Sequence, residues 1–285
     1  MSAGAERQPA PRIRDIPRLR AIAHRLRRQV VTMAARKGQG YVQQGLGAAD
    51  LFTALYFAEM RLDPTDPSWP GRDRFLLSTA HNTAIFYATL AERGFFPAER
   101  LPDYVEDGSP LEINASERMG PMVEATCGSL GQGLSVGVGM ALAARIAGSP
   151  ARTYVVLGDG EMQEGQVWEA AMAAGSLRLA NLCLVLDLNE LQAGGHIDGV
   201  IAMAPIDDKW RAFGWHVIRV DGNDMGALLD ALDAARARAE GPTCIVARTL
   251  TGKGAPCIEG VMAHYMSTPP ALAAQVLEEL GETAP

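Results

Sequence analysis

Two short polar segments, each directly after an apolar run, carry the residues with the clearest chemical potential. One is the Gly-Asp-Gly triplet 158–160, and the other contains Asn189, thirty residues after Asp159. A strand-end carboxylate and an amide oxygen at the next strand end are hard ligands of the kind that Mg²⁺ prefers, and the Leu191 carbonyl could supply a third. The glycines would let phosphates approach the backbone. The pattern predicts a magnesium–diphosphate site, although the triplet alone could be only a strand-to-helix turn.

The elements that must position these residues follow from the apolar pattern of the second half of the chain. Short apolar runs alternate there with helical patterns of about 10–15 residues, and Asp224 is expected to cap one of the helices. This alternation is typical of a parallel sheet covered on both faces. We therefore predict an α/β fold, a doubly wound and mostly parallel sheet with helices on both faces. Ligands bind at the carboxyl ends of the strands in such folds. The predicted strands are 153–157, 182–187, 215–220 and 243–248.

The first half of the chain reads as helical, with predicted helices over 12–37, 50–60, 82–93 and 130–147. No internal repeat or low-complexity linker divides the sequence. We expect one domain over residues 13–268, a disordered N-terminal tail over 1–12, and a C-terminal helix or tail over 269–285. The common nucleotide and hydrolase fingerprints are absent. The candidate Gly131-Gln-Gly133 lacks the third glycine of a dinucleotide-binding loop and does not follow a strand.

The composition excludes several other classes of function. The chain has 285 residues, of which 48% are hydrophobic and 21% charged, and its net charge is −7. An acidic chain is not expected to wrap nucleic acid, and one without an apolar stretch of about 18 residues is not expected to cross a membrane. No secretory signal is recognisable, and the four cysteines lack the paired spacing of a metal site. We therefore expect a cytoplasmic protein that contacts neither nucleic acid nor membranes.

Two segments together resemble the thiamine diphosphate motif of transketolases. They are GDGEMQEGQVWEA from residue 158 and DLNELQ from residue 187, and further similar segments are 72–78 with His81, 128–133, 210–218 and 251–254. The resemblance runs from about residue 22 to residue 268. It is specifically to the amino-terminal section of a split transketolase, the section that binds the diphosphate of the cofactor, so residues 13–268 would form that binding domain.

The resemblance implies thiamine diphosphate as cofactor, bound with Mg²⁺ or with Ca²⁺ or Mn²⁺ in its place. Asp159, Asn189 and the Leu191 carbonyl would hold the metal. The residues expected to contact the cofactor are His81, Gly128, Leu130, Gly158, Asp159, Gly160, Glu161 and Asn189.

Two residues are catalytic candidates on the same ground. His81 would contact the diphosphate, and Glu164, five residues after Asp159, would join a carboxylate network between active sites across a subunit interface. Each has a simpler interpretation. His81 could be a core or helix-capping histidine, and Glu164 could be an exposed glutamate favoured by the helix dipole.

The resemblance also implies a partner. In transketolases, the glutamate that promotes formation of the C2 carbanion lies in a second, pyrimidine-binding domain, and the arginines that bind substrate phosphate also lie beyond the section seen here. We therefore expect this chain to be inactive alone, to work with a separate C-terminal pyrimidine-binding subunit, and to form a heterotetramer with it.

Three histidines that face the substrate in ordinary transketolases are replaced here. Tyr41 and Asn114 stand at two of the positions, and Tyr265 stands at the third. His264 directly precedes Tyr265 and could take the place of the third histidine. These four residues are the substrate-pocket candidates. Because tyrosine and asparagine do not titrate near neutrality, ordinary sugar-phosphate turnover is disfavoured.

Three functions remain open. The chain could serve a transketolase that moves a two-carbon ketol unit between unusual sugars. It could resemble the first component of 2-oxo-acid dehydrogenases and deliver a two-carbon unit to a lipoyl or carrier-protein thiol in specialised biosynthesis. It could also be a non-catalytic partner that binds the cofactor.

Overall fold

The computed structural model describes residues 9–261 and 264–282. Parts of the predicted tails, residues 1–8 and 283–285, lie outside the described residues. Within residues 9–261 and 264–282, no helix is long and apolar enough to cross a bilayer. The α-helices are α1 (Ile16–Lys37), α2 (Val42–Thr53), α3 (Thr83–Arg93), α4 (Gln132–Ile146), α5 (Gly165–Ser176), α6 (Ile197–Val200), α7 (Ile206–Ala212), α8 (Met225–Ala237) and α9 (Pro270–Leu280).

The central sheet contains five parallel strands in the order β2-β3-β4-β8-β7. Four short strands form two small antiparallel pairs, β1 with β9 and β5 with β6. The strands are β1 (Gln39–Gly40), β2 (Arg74–Leu77), β3 (Thr153–Gly158), β4 (Leu182–Leu188), β5 (Leu191–Gln192), β6 (Gly195–His196), β7 (His216–Asp221), β8 (Thr243–Arg248) and β9 (Met266–Ser267).

The two faces of the sheet bury separate hydrophobic clusters. Tyr154 and Val156 of β3 pack on one face with residues of α1, α2, α3, α8 and α9, whereas Val155 and Leu157 pack on the other face with residues of α4, α5 and α7. Each fully buried apolar side chain of this size contributes about 1.5–3 kcal/mol. The prediction of a parallel α/β sheet with helices on both faces is confirmed.

The predicted strands of the second half are present, and the Asp224 carboxylate accepts hydrogen bonds from the backbone N–H groups of Gly226 and Ala227 as the predicted helix cap. Strand β2 was not predicted, because four residues that begin with an arginine show neither alternation nor an apolar run long enough to distinguish a strand from a helix. The helix predicted from residue 50 begins at Val42 and continues as a π-helix over Ala54–Glu59.

The antiparallel pair of β1 and β9 determines what lies beside the carboxyl edge of the sheet. Helix α1 ends at Lys37 and is capped by Gly38, which has a left-handed backbone with φ of 69°, a conformation that glycine adopts without strain. The chain then turns into β1, where Gln39 pairs with Ser267 and Gly40 with Met266. This pairing places the residues just before β9 next to the start of α2.

Candidate functional site

Asp159 and Asn189 lie at the carboxyl ends of two adjacent strands. Strands β3 and β4 pair in parallel with Gly158 opposite Asp187, so the residues that follow each strand meet at the same edge. Asp159 is only 1% exposed. Its Oδ2 accepts from the backbone N–H of Glu190 at 2.5 Å. The two strand-end loops are therefore joined directly through this carboxylate.

The Asp159 carboxylate accepts hydrogen bonds from two backbone N–H groups, those of Gly160 and Glu190. Asn189 Oδ1 accepts from the backbone N–H of Leu191 at 3.0 Å, which makes a tight turn directly after β4. Among the described residues, no three His, Cys, Asp or Glu side chains converge on one point. A cation here would consequently be held by one carboxylate together with amide and carbonyl oxygens, and Mg²⁺ accepts such a set because it retains water and phosphate ligands.

The electrostatics of this edge favour a cation. Burial and the nearby Asp187 carboxylate raise the pKa of Asp159 to about 7, against hydrogen bonds from the Glu190 and Gly160 N–H groups. Burial also raises the pKa of Asp187, whose Oδ1 accepts from the hydroxyl of Thr249 at 2.5 Å. Two carboxyl groups that share a buried site destabilise each other when both are charged, and a divalent cation would relieve that repulsion.

His81 lies at the same edge with a polar atom that has no partner. Its Nε2 is buried and has no hydrogen bond within the described residues. The hydroxyl of Thr79 is also buried and also has no hydrogen bond there. Burial and the neighbouring His264 lower the pKa of His81 to about 3. The ring is therefore neutral at ordinary pH and has a hydrogen-bonding nitrogen available for a ligand.

The glycines leave space next to this histidine. A Cβ atom at Gly158 would lie 3.3 Å from both His81 Cε1 and Thr79 Cγ2, and one at Gly160 would lie 3.0 Å from the Gln192 Cβ. The room beside the strand end thus exists because these residues lack side chains. With the unpaired His81 nitrogen and the Asp159 oxygens, the edge fits a diphosphate bridged by a cation.

Glu161, a predicted cofactor contact, binds protein groups with both of its oxygens. Oε1 accepts from the hydroxyl of Ser78 and from the backbone N–H of Gly131, the latter at 2.6 Å, and Oε2 accepts from the N–H of Gly158 at 3.2 Å. Burial raises the pKa of this carboxyl to about 7. The carboxylate connects the loop around residue 130 to the loop after β3.

That connection brings further predicted residues to the site. Gly128 lies against Asn114, whose Nδ2 would be 3.3 Å from a Cβ at position 128. Leu130 is 44% exposed, and its carbonyl accepts from Gln166 Nε2 at 2.7 Å. Leu130 directly precedes Gly131, which Glu161 holds, so this loop lies near the Gly-Asp-Gly triplet. The contacts of Gly128 and Leu130 with a cofactor remain a prediction.

Glu164 lies outside the buried part of this cluster, but its charge contributes to the raised pKa of Glu161. It is exposed at the residue that precedes α5. A short 3₁₀ turn over Gly160–Gln163 separates the Gly-Asp-Gly triplet from α5. The helix predicted after the triplet is present as α5, which begins at Gly165. The role of Glu164 at a subunit interface stays a prediction.

Three of the four substrate-pocket candidates form one aromatic cluster with His81. The Tyr41 ring packs edge-on against His264 and Tyr265, with centroid distances of 5.5 and 4.9 Å. His264 lies 5.4 Å from His81, and Tyr41 lies 6.4 Å from it. Pairing of β1 with β9 creates this arrangement. Asn114 lies beside Gly128 instead.

Two glutamines that the sequence motifs do not include attach helix α2 to the loop that carries His264. The fully buried Gln43 donates from Nε2 to the Ile258 carbonyl at 2.8 Å, and Gln44 donates to the His264 carbonyl at 2.7 Å. A signal was present, because two adjacent glutamines in an otherwise apolar and glycine-rich segment need hydrogen-bond partners if they are buried.

A cavity of about 860 Å³ opens on the other side of Asn189. It lies at the carboxyl ends of β4, β7 and β8, and its charged lining includes Arg219, Arg248 and Lys253. Each of these cations lies within 4.0 Å of a carboxylate.

The fold and this edge define a class, the α/β proteins that bind a diphosphate cofactor at the carboxyl ends of parallel strands. The family follows from comparison with known proteins. The model of the transketolase thiamine diphosphate-binding domain matches residues 19–276. The chain belongs to the transketolase family.

Similar proteins include subunits of comparable length. The 6-deoxy-6-sulfo-D-fructose transketolase subunit SqwG of Clostridium sp. is 41% identical, over 85% of this chain and 88% of that protein. An apulose-4-phosphate transketolase subunit of Actinobacillus succinogenes is 37% identical, over 84% of this chain and 86% of that protein. The crystal structure of Campylobacter jejuni transketolase superposes with a TM-score of 0.88 at 28% identity, over 94% of this chain.

These findings confirm the predicted resemblance to an N-terminal subunit of a split transketolase. The chain spans about 43% of the Campylobacter transketolase, so it corresponds to one section of the undivided enzymes. The comparisons do not support the 2-oxo-acid dehydrogenase interpretation or the non-catalytic interpretation better than the transketolase interpretation. They give no support for a carrier-protein partner.

Proposed function

We propose that this chain is the diphosphate-binding subunit of a thiamine diphosphate- and Mg²⁺-dependent enzyme that transfers a two-carbon ketol unit between sugars. The observation that carries the proposal is the joined pair of strand ends, where the buried Asp159 lies beside Asn189. Membership of the transketolase family supports the reaction class.

Each residue of the site would have a distinct task. Asp159, Asn189 and the Leu191 carbonyl would hold Mg²⁺, and His81 would hydrogen-bond the diphosphate through the nitrogen that has no partner among the described residues. Glu161 would keep the two glycine loops at the right spacing. Bound thiamine diphosphate supplies a nucleophilic carbon that can add to the carbonyl of a ketose.

The remaining residues of the site would orient the sugar. Tyr41, His264 and Tyr265 form the aromatic wall next to His81, and Asn114 lies on the side of Gly128. Because this wall differs from that of ordinary transketolases, we propose that the substrates are unusual ketoses or aldoses. The similarity to proteins named for a sulfo-sugar and for apulose phosphate supports this inference.

A second protein chain would complete the active site. The glutamate that activates the cofactor and the arginines that bind substrate phosphate would come from a C-terminal pyrimidine-binding subunit. Two relatives of comparable length are themselves named as subunits, which supports the two-chain arrangement. The exposed Glu164 would then lie at the interface between active sites.

Reconstitution tests the proposal. The chain should be purified alone and with a co-expressed pyrimidine-binding subunit, then given thiamine diphosphate, Mg²⁺ and hydroxypyruvate, whose decarboxylation leaves a two-carbon ketol unit. Mass detection on a panel of aldoses should show products larger by two carbons only with both chains present. Full turnover by the chain alone would contradict the two-subunit proposal, and transfer to a lipoyl group instead of an aldose would contradict the reaction class.

A further inference from the structure

Gln44 makes two contacts with one residue across the site. It is only 1% exposed in the first turn of α2. Its Nε2 lies 2.7 Å from the backbone carbonyl oxygen of His264 and 3.2 Å from Nδ1 of the same residue. One amide group therefore contacts both the backbone and the ring of His264.

The chemistry of these partners fixes the orientation of the amide. A carbonyl oxygen can only accept, so the Gln44 atom beside it must be the NH₂ group and cannot be the amide oxygen. That NH₂ group has a second hydrogen for Nδ1. His264 Nδ1 must then present its lone pair, and a neutral imidazole with a lone pair on Nδ1 carries its proton on Nε2.

The surroundings of the ring keep it neutral. Tyr41 and His81 pack against it at centroid distances of 5.5 and 5.4 Å, and Tyr265, the next residue in the chain, packs on Tyr41. Tyr104 couples electrostatically with both Tyr41 and Tyr265 on the far side of this group. Burial lowers the pKa of His264. Its Nδ1 is engaged by Gln44, so the Nε2–H is the ring group that can serve a ligand.

We propose that Gln44 is a positioning residue that holds His264 as its Nε2–H tautomer, so that this N–H is available to bind an oxygen of the sugar substrate. The inference rests on the proposed function for the identity of the ligand. The tautomer itself does not depend on that function.

The neighbouring Gln43 provides a matched control. It is also buried in the first turn of α2 and also donates to a carbonyl of the same loop, that of Ile258. Its amide bonds to that backbone and not to the imidazole. Substitutions at position 43 therefore remove a hydrogen bond between helix and loop. Substitutions at position 44 also change the hydrogen-bond partner of His264 Nδ1.

Nitrogen NMR of the full chain tests the tautomer without any turnover. In ¹⁵N-histidine-labelled protein, with His264 assigned by its loss in His264→Gln, the wild-type ring should show a protonated Nε2 and an unprotonated Nδ1 at pH 7.5. Gln44→Glu places an acceptor at Nδ1, so the proton should move to Nδ1 and the pKa of His264 should rise by about one unit or more. Gln43→Glu should leave the His264 signals in place. A wild-type ring protonated on Nδ1 would overturn the proposal, and this measurement decides even if Gln44→Glu fails to fold.

Kinetics of the reconstituted enzyme test the positioning role. Gln44→Leu should lower kcat/KM for the ketose donor about tenfold while leaving the affinity for thiamine diphosphate unchanged, and the acidic limb of its pH profile should shift. Gln43→Leu should lower stability without that shift. Equal profiles for the two variants would overturn the positioning role. If the assembly shows no ketol transfer, the proposed function fails, and the NMR result still decides the tautomer.

Discussion

The carboxylate of Glu161 accepts a hydrogen bond from the backbone N–H of Gly131 at 2.6 Å, across thirty residues of sequence. The same group also accepts from Ser78 and Gly158. One buried side chain thereby fixes the relative positions of β2, the loop before α4 and the Gly-Asp-Gly triplet. The geometry of the candidate site therefore depends on Glu161, and both oxygens of this residue already accept hydrogen bonds from the protein.

Removal of this carboxylate should destabilise the chain. Glu161→Ala leaves the buried donors of Ser78, Gly131 and Gly158 without their acceptor, and we expect a loss of about 2–4 kcal/mol in the free energy of unfolding. Urea denaturation followed by circular dichroism measures the effect. The control is Glu169→Ala in α5, whose side chain is exposed, and a change within about 0.5 kcal/mol is expected for it. Equal losses in both variants would show that the network does not stabilise the fold.

Asp159→Asn should abolish stabilisation by the cofactor. In the wild-type chain, thiamine diphosphate with Mg²⁺ should raise the Tm, and EDTA should reverse the increase, because Asp159 supplies the charged oxygen for the cation. The variant should show no increase, whereas Asp230→Asn on the exposed face of α8 should behave as the wild type. Since the second chain can complete the site, the scan should be repeated on the two-chain assembly. A full increase in Asp159→Asn would contradict the assigned metal site.

Two glycines of α4 should respond in opposite ways to alanine. A Cβ at Gly137 would lie 2.6 Å from Cγ2 of the buried Val155, whereas one at Gly139 would meet nothing within 4 Å. Because Val155 is stiff and lies in β3, Gly137→Ala should cost about 1–3 kcal/mol. Gly139→Ala should stabilise the chain by about 0.5–1 kcal/mol through helix propensity. Thermal unfolding of both variants measures the difference, and a stabilised Gly137→Ala would show that α4 packs less closely on the sheet.

Acid should destabilise the cofactor-free chain partly through His81. Its folded-state pKa of about 3 lies below the ordinary histidine value, so the unfolded state binds a proton first as the pH falls. The stability contributed by the neutral ring is complete above about pH 6.5 and is lost as the pH decreases toward about 3.

The measurement is the free energy of unfolding of wild type and His81→Asn between about pH 7 and about pH 4.5. The wild-type chain should lose about 2–3 kcal/mol more than the variant over this range. His264 remains in both proteins and provides the common background, since its pKa is also lowered. Parallel curves for the two proteins would mean that His81 is protonated as easily in the folded chain as in the unfolded chain.

The second half of the fold was predictable because its strands are continuous apolar runs between clear helices. Asp159 and Asn189 could be assigned to one edge for the same reason, since parallel strands bring their carboxyl ends together. The contacts of the first half could not be predicted. Neither the two-residue pairing of Gln39 and Gly40 with β9 nor the particular partners of Gln43 and Gln44 can be read from local sequence.

Glu161 illustrates a different limit of sequence reasoning. A glutamate next to the Gly-Asp-Gly triplet has the right chemistry and position for a cofactor contact. Only the structure shows that Ser78 and Gly131, both distant in sequence, already donate to it. Long-range pairing of this kind depends on how the loops pack and not on residue type.

The four cysteines give the chain a practical property. Cys127, Cys183 and Cys244 are buried, and Cys257 is the one that reaches the surface in part. It lies on the loop that Gln43 and Gln44 attach to α2. Burial and Glu279 raise the pKa of its thiol to about 11, so alkylation will be slow at neutral pH but directed to one position. A fluorophore attached there would report the movements of this loop in the unmodified sequence, without prior removal of other thiols.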